Sequence, residues 1–376
     1  MEPSIYSFSL YTALPLMLFF GFYFLLAKTP ENKIFKNYLR SRQIMGIAML
    51  LLSANYSVHF FFGIRFKNAD SSILMNMSTY FLCYSLFSSA LIMLLDRFYI
   101  TKRRVWTHII LWIVFSTLSG VVLFLLPSGI IQKISLFALA AWLVVFGVVL
   151  ARRVIIAYRR AIRIFNETQA DDIGTYIKWL SIFTYWAVIF GVGCGLLTFL
   201  PDKYVFIWIL SSIPFYSYLF YSYQNYLLFY EQVENAFEQD IQSEEELLTD
   251  TETEPEIVSG EEVPVSYTEI IEKVDNWIKT DGYVLQGLTI KELSKILYTN
   301  RTYLSAYIKT TYKMTFREWI TGLRLEYAKN ILKEHPEINI QKLAESSGFL
   351  SRSNFIQLFS EKEGCTPAKW KKANRE

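Results

Sequence analysis

The sequence predicts an all-α protein in three parts: a seven-helix transmembrane bundle, a disordered acidic linker, and an all-helical domain with two helix-turn-helix units. Three observations carry that division. Apolar runs recur up to residue 229, and a run of about 20 residues is long enough for the roughly 30 Å hydrocarbon core of a bilayer. Residues 230–265 hold 13 acidic side chains and no Lys or Arg. Residues 266–376 read as short amphipathic helices separated by Gly and capping residues. The formal net charge of +3 conceals this arrangement: it is +11 over 1–229, −13 over 230–265 and +5 over 266–376. Such asymmetry points to a membrane or nucleic-acid partner and an acidic spacer.

The expected membrane domain is 1–229, with spans at 5–27, 44–65, 73–95, 109–126, 134–150, 179–200 and 205–229. The first run has no basic stretch ahead of it and no small-residue cleavage site, so it reads as a span rather than a signal peptide. Orientation follows from Lys and Arg in the short loops. The first, third and fifth loops carry 15 of them, including Arg103, Arg104, Arg152, Arg153, Arg159 and Arg160, whereas the second, fourth and sixth contribute Lys67, Lys133 and Lys203. Odd-numbered loops are therefore expected in the cytoplasm, the N-terminus outside, and everything after the seventh span inside. The expected location is the inner (cytoplasmic) membrane, crossed several times.

Few residues inside the spans carry chemistry. Asn55, His59 and Asn76 are the main polar side chains there; they either line a ligand pocket or satisfy one another between helices. The scarcity of deep ionisable groups disfavours an ion or proton path. The run Gly191-Val192-Gly193-Cys194-Gly195 has a GxxxG spacing that permits close helix approach, within the bundle or between two chains. Cys83, Cys194 and Cys365 are scattered, as are His59, His108 and His335, so neither disulfides nor a metal site is expected. No nucleophile–base pair, carboxylate pair or Gly-rich phosphate loop is visible; no cofactor and no enzymatic activity are expected.

The linker, 230–265, is acidic, poor in aromatics and broken by Pro255, Gly260 and Pro264, a composition that favours disorder. It reads either as a solvated spacer or as a segment that folds back on the basic domain beyond it.

In that domain, 266–376, Ile270, Ile271, Val274 and Ile278 recur at helical spacing. Thr289 with Glu292 forms a capping-box spacing at the start of a helix expected to bury Leu293, Ile296 and Leu297. Asn300 caps the next helix, which buries Leu304 and Ile308 and turns Arg301, Thr302, Ser305 and Lys309 outward. The arrangement recurs. Asn339 opens a helix burying Ile340, Leu343 and Ala344, and Gly348 ends it in the left-handed position. The following helix buries Phe355 and Phe359 and shows Arg352, Ser353, Asn354 and Gln357. Two short helices and a tight turn make a helix-turn-helix, whose second helix reaches base edges in the major groove. Between the units, 316–334 reads as a 19-residue helix, about 28 Å long, against the roughly 34 Å of one DNA turn. Each outward polar face is otherwise an ordinary solvated surface.

These residues resemble the AraC/XylS family of bacterial transcription regulators over about 288–373. The resemblance rests on Ile340-x-x-Leu343-Ala344-x-x-x-Gly348-Phe349, Ser353-Asn354-Phe355-x-x-x-Phe359, Gly364-Cys365-Thr366-Pro367-x-x-Trp370 and Arg324-Leu325-Glu326-x-Ala328-Lys329-x-Ile331-Leu332. It implies base-reading positions at Arg301, Thr302, Ser305 and Arg352. Three departures stand out. Ser294 replaces an Ala. Lys313 replaces the Gly that usually ends the first recognition helix. Gln357 and Ser360 replace basic residues, which weakens the phosphate contacts expected of the second unit. The resemblance and the architecture together imply a membrane-bound, one-component transcription regulator. Its expected partners are double-stranded operator DNA, the lipid bilayer, RNA polymerase, a second copy of the chain and a signal ligand. The alternative is a transporter or scaffold with an accessory or vestigial DNA-binding domain.

Overall fold

A computed structural model of the chain describes residues 5–197, 205–250 and 265–373. Among the described residues the secondary structure is helical apart from one isolated β-bridge, Gln169 with Thr289. The chain divides into two units: one holds the helices through Arg160 together with Tyr176–Glu231, and the other holds Ala161–Thr175 and the chain from Gln232 onward.

The first unit contains α1 (Ile5–Leu26), α2 (Lys36–Phe62), α3 (Ile64–Lys67), α4 (Ala69–Met93), α5 (Lys102–Phe124), most of α6 (Ile130–Thr168), α7 (Gly174–Leu197) and the first part of α8 (Val205–Asp250). Six stretches are long and apolar enough to cross a membrane: Ile5–Leu26, Lys33–Phe62, Lys102–Phe124, Ile130–Thr168, Gly174–Gly193 and Val205–Glu238. Helix α4, at the third expected span, has 25 residues but is not among them; it carries Asp70 and the buried polar residues Ser72, Asn76, Ser85 and Ser88. Residues 198–200, the end of the sixth expected span, lie outside the described residues. Phe81 of α4 stacks on Phe115 of α5 at 4.7 Å and Phe146 of α6 at 4.1 Å. Trp106, Ile110, Ile113, Phe137 and Val145 are exposed, apolar side chains of the kind that contact lipid on a spanning helix.

Asn55 and His59 both meet Asn76, yet Asn55 Oδ1 and His59 Nδ1 are buried without a partner, and the three residues border a cavity of about 40 Å³, so both expected roles stay open. Asn55 Nδ2 donates to Asn76 Oδ1 at 3.1 Å, and His59 Nε2 lies 2.9 Å from the same oxygen. Gly191 accepts from the Tyr84 hydroxyl at 2.7 Å through its carbonyl. A Cβ on Gly193 would overlap Trp208 at 2.2 Å. Gly191 and Gly193 therefore pack inside the unit, and the surroundings of Cys194 and Gly195 lie outside what is described.

Helix α8 continues to Asp250, so the expectation of disorder from residue 230 is corrected for its first half. Glu, Gln, Leu and Ala are strong helix formers, and no Pro or Gly interrupts 231–250. Residues 251–264 lie outside the described residues.

The second unit contains α9 (Val265–Lys279), α10 (Ile290–Ile296), α11 (Arg301–Thr311), α12 (Phe316–Glu334), α13 (Ile340–Ser346), α14 (Arg352–Glu363) and α15 (Pro367–Ala373). It has two cores. The first gathers Ile270, Val274 and Trp277 of α9 with Leu288, Leu293, Leu304, Ile308, Phe316, Trp319 and Ile320. The second gathers Leu325, Ala328, Leu332, Leu343, Phe349, Phe355 and Phe359, with Trp370 against it. Helix α12 supplies its N-terminal half to one core and its C-terminal half to the other, which fixes the two units to a common rod. Ile296 is 48% exposed, contrary to expectation. At 100° per residue Ile290, Leu293 and Leu297 share a face, and Ile296 falls beside it.

Candidate nucleic-acid interface

Each recognition helix is placed by a local device. Thr289 Oγ1 accepts from Glu292 N at 3.1 Å, and Glu292 Oε2 accepts from Thr289 N at 2.9 Å, completing the capping box of α10. Asn300 Oδ1 accepts from Tyr303 N at 2.8 Å and starts α11. Ser351 Oγ accepts from Asn354 N at 3.4 Å and starts α14. Sequence reading missed a second capping box, Thr315 with Glu318, which begins α12. The connection from α10 to α11 places Tyr298 in the left-handed region (φ 53) with its ring 88% exposed.

The expected base-reading residues lie on two helices. Thr302 and Lys309 of α11 are exposed, and Arg301 and Ser305 half-buried. Arg301, Ser305 and Lys309 follow one another at intervals of four residues and so form one stripe. On α14, Arg352, Ser353 and Gln357 are exposed and Asn354 is half-buried. Gln357 Nε2 donates to Glu361 Oε1 at 2.8 Å. Lys309 Nζ is 3.1 Å from Glu167 Oε1, a residue far away in sequence in the last turn of α6.

That contact belongs to a segment which sequence reading did not connect with these helices. Residues 161–175 form part of the second unit. Ala170 N donates to Leu288 O at 3.0 Å, and Ala170 lies in the first core. Asp171 Oδ2 accepts from Gly287 N at 2.8 Å. Asp171 Oδ1 accepts from Arg324 Nη1 at 2.8 Å, with Arg324 1% and Asp171 8% exposed. Arg324 also donates through Nε to Tyr283 O at 2.7 Å and through Nη2 to Leu285 O at 2.6 Å. All three guanidinium nitrogens are therefore bonded, which a buried cation requires. Burial pushes the Arg324 pKa down, and the Asp171 carboxylate opposes that shift. The available signal was an Arg in register with the apolar stripe of α12, between Ile320 and Ala328, which called for a carboxylate from elsewhere.

Gly348 sits at the joint between the two helix-turn-helix units with φ 83. A Cβ there would lie 2.5 Å from Val284 O and 2.9 Å from Arg324 Nε. Lys313, at the end of α11, is left-handed (φ 55) as the family comparison implied, while Gly364 holds the matching place after α14 (φ 70). Among the described residues no group of His, Cys, Asp and Glu could hold a metal ion.

Two helix-turn-helix units joined by a helix that serves both cores define the class of this domain. Residues 293–373 match a family model described as "Helix-turn-helix domain", and this C-terminal region is an AraC-type helix-turn-helix domain. The match does not extend to the apolar helices. Similar proteins include the uncharacterized HTH-type transcriptional regulator YtdP of Bacillus subtilis (strain 168), 31% identical over 88 residues, 23% of this chain and 11% of that protein. The uncharacterized HTH-type transcriptional regulator YijO of Escherichia coli (strain K12) is 26% identical over 92 residues, 24% of this chain and 32% of its own length. The probable transcriptional regulator LumQ of Photobacterium leiognathi is 26% identical over 99 residues, 25% of this chain and 40% of that one. The chain thus spans well under half the length of these relatives. No solved structure matches it significantly.

Proposed function

We propose that the protein is a membrane-anchored, sequence-specific DNA-binding transcription regulator, whose apolar helices hold it in the inner membrane and whose second unit lies in the cytoplasm. The observation that carries this reading is the pair of helix-turn-helix units sharing α12, each with a polar stripe on its second helix. In this reading Arg301, Thr302, Ser305 and Lys309 face one major groove and Arg352, Ser353, Asn354 and Gln357 the next. Helix α4 crosses as the third of seven spans, which leaves the N-terminus outside. The relatives named as transcriptional regulators support the same class.

The membrane helices act in this proposal as the sensor. The first unit contains a partly open, mainly apolar cavity of about 100 Å³ bordered by Tyr56, Tyr84, Phe87, Phe183 and Phe215, which in this proposal receives a small apolar signal molecule. A second copy of the chain and RNA polymerase are the protein partners of the proposed regulator.

The test is binding of duplex DNA by the full chain in lipid nanodiscs, followed by mapping of its chromosomal sites in cells. Affinity is expected to fall steeply with salt, as phosphate contacts require. Arg301→Ala with Arg352→Ala is expected to cost about 1–3 kcal/mol per base contact removed and to abolish site-selective occupancy. Binding indifferent to salt, or target expression unchanged by the double substitution, would leave the transporter or scaffold reading in its place.

A further inference from the structure

Asn166–Asp172 runs across the first helix-turn-helix unit as a strap. Its docking is built from main chain and side chain together: the Gln169–Thr289 bridge, the Ala170–Leu288 hydrogen bond, Ala170 in the core and the buried Asp171–Arg324 pair. Its two remaining carboxylates make different contacts. Glu167 Oε1 meets Lys309 Nζ at 3.1 Å, and Asp172 Oδ2 meets Arg317 Nη2 at 3.0 Å. Arg317 Nη1 also donates to Asn166 Oδ1 at 3.1 Å. Lys309 continues the Arg301–Ser305 stripe of α11, and Arg317 is in the first turn of α12. Two cations from consecutive helices are thus each held by an oxyanion from one short segment.

We propose that Lys309 and Arg317 form a binding patch for the phosphate backbone of duplex DNA, which the strap occupies in cis with Glu167 and Asp172 in place of two phosphates. Carboxylate and phosphate oxygens compete for the same guanidinium and ammonium donors. Asp171 is the anchor and is too buried to exchange, whereas Glu167 and Asp172 make more accessible pairs. The strap comprises the last turn of α6 and the residues leading into α7, and both helices contain stretches apolar enough to cross a membrane. Arg317 was not among the residues expected from sequence to meet DNA. The acidic segment that competes is the last turn of α6 with the residues that follow it.

The proposal rests on the DNA-binding reading, and one experiment separates the two. The full chain in nanodiscs is titrated with a fluorescein-labelled random-sequence duplex of about 30 base pairs, long enough for two successive major grooves, over a range of salt. Glu167→Gln with Asp172→Asn is expected to tighten binding roughly threefold to tenfold, the size of two accessible ion pairs released. The slope of log K against log salt steepens by up to about 1.8 as two phosphate contacts are gained. In a Lys309→Gln/Arg317→Gln background the same change is expected to do nothing. Unchanged affinity and slope, or an equal gain in that background, overturns the patch while leaving DNA binding intact. If the wild-type chain and every variant fail to bind at low salt, both readings fall. Glu167→Gln alone touches only the more exposed pair and repeats the test should the double variant unfold.

Discussion

The two helix-turn-helix units are near repeats in sequence pattern but differ in what completes them. The second is closed by its own chain: Trp370 of α15 packs edge-on to Phe359 at 6.1 Å, and Lys329 bonds to Glu326 and Glu363 at 2.9 and 3.1 Å. The first is completed from outside, by a segment more than a hundred residues earlier in the chain that adds Ala170 to its core and Asp171 to its buried cation. Among the described residues the second unit takes nothing in its core from so distant a segment and meets the first at α12 and around Gly348 and Gln286. A unit completed by an outside segment weakens when that segment leaves. The contrast makes the first unit the one exposed to control and the second the constant partner.

The largest expected effect tests whether the units are mechanically joined. Gly348→Ala places a Cβ 2.5 Å from Val284 O at a left-handed residue. Left-handed strain of about 1–2 kcal/mol and overpacking of about 1–3 kcal/mol together predict a loss of about 2–5 kcal/mol. Thermal unfolding of the full chain, followed by peptide-resolved hydrogen exchange, is expected to show 283–297 and 340–360 losing protection together. Loss confined to 340–360 would mean that the joint does not couple the units. Next comes Asp171→Asn, which removes the charge opposite Arg324. Breaking a buried pair from one side costs about 3 kcal/mol or more. Here the loss is expected over 283–320 with 340–370 little changed, and equal exposure of both units would erase the distinction drawn above.

What was legible in the sequence was local. Thr289, Asn300 and Asn339 each satisfy main-chain donors within three residues, so neighbouring residues sufficed to place the starts of α10, α11 and α13, while the Ser351 cap of α14 needed the structure. The span of α12 and the left-handed Gly348 were equally accessible. Ile296 misled because apolar residues at both i+3 and i+4 fit a helical period, and only the packed core chooses between them. The strap was illegible for a different reason. Its acids lie in a loop that reads as basic by its total charge, and no local rule links Asp171 to an Arg some 150 residues away. Helical 231–250 was hidden by net charge, which signals disorder even when the residues carrying it favour helix.

The smallest effect compares the ends of the two recognition helices. Helix α14 closes on Gly364, where positive φ carries no Cβ penalty, whereas α11 is followed by Lys313 at φ 55. Relief of the strain at Lys313 is worth about 1–2 kcal/mol, while the added freedom of Gly in the unfolded chain takes back about 0.5–1 kcal/mol. Lys313→Gly is therefore expected to stabilise the first unit by a few tenths to about 1 kcal/mol, with Gly364→Ala destabilising the second by a similar amount. Lys313 is exposed, so salt sharpens the reading. If Lys313 is retained for a phosphate contact, Lys313→Gly lowers DNA affinity and shallows the salt slope by about 0.9 while raising stability. If the residue serves the fold alone, stability rises and the slope stays where it was.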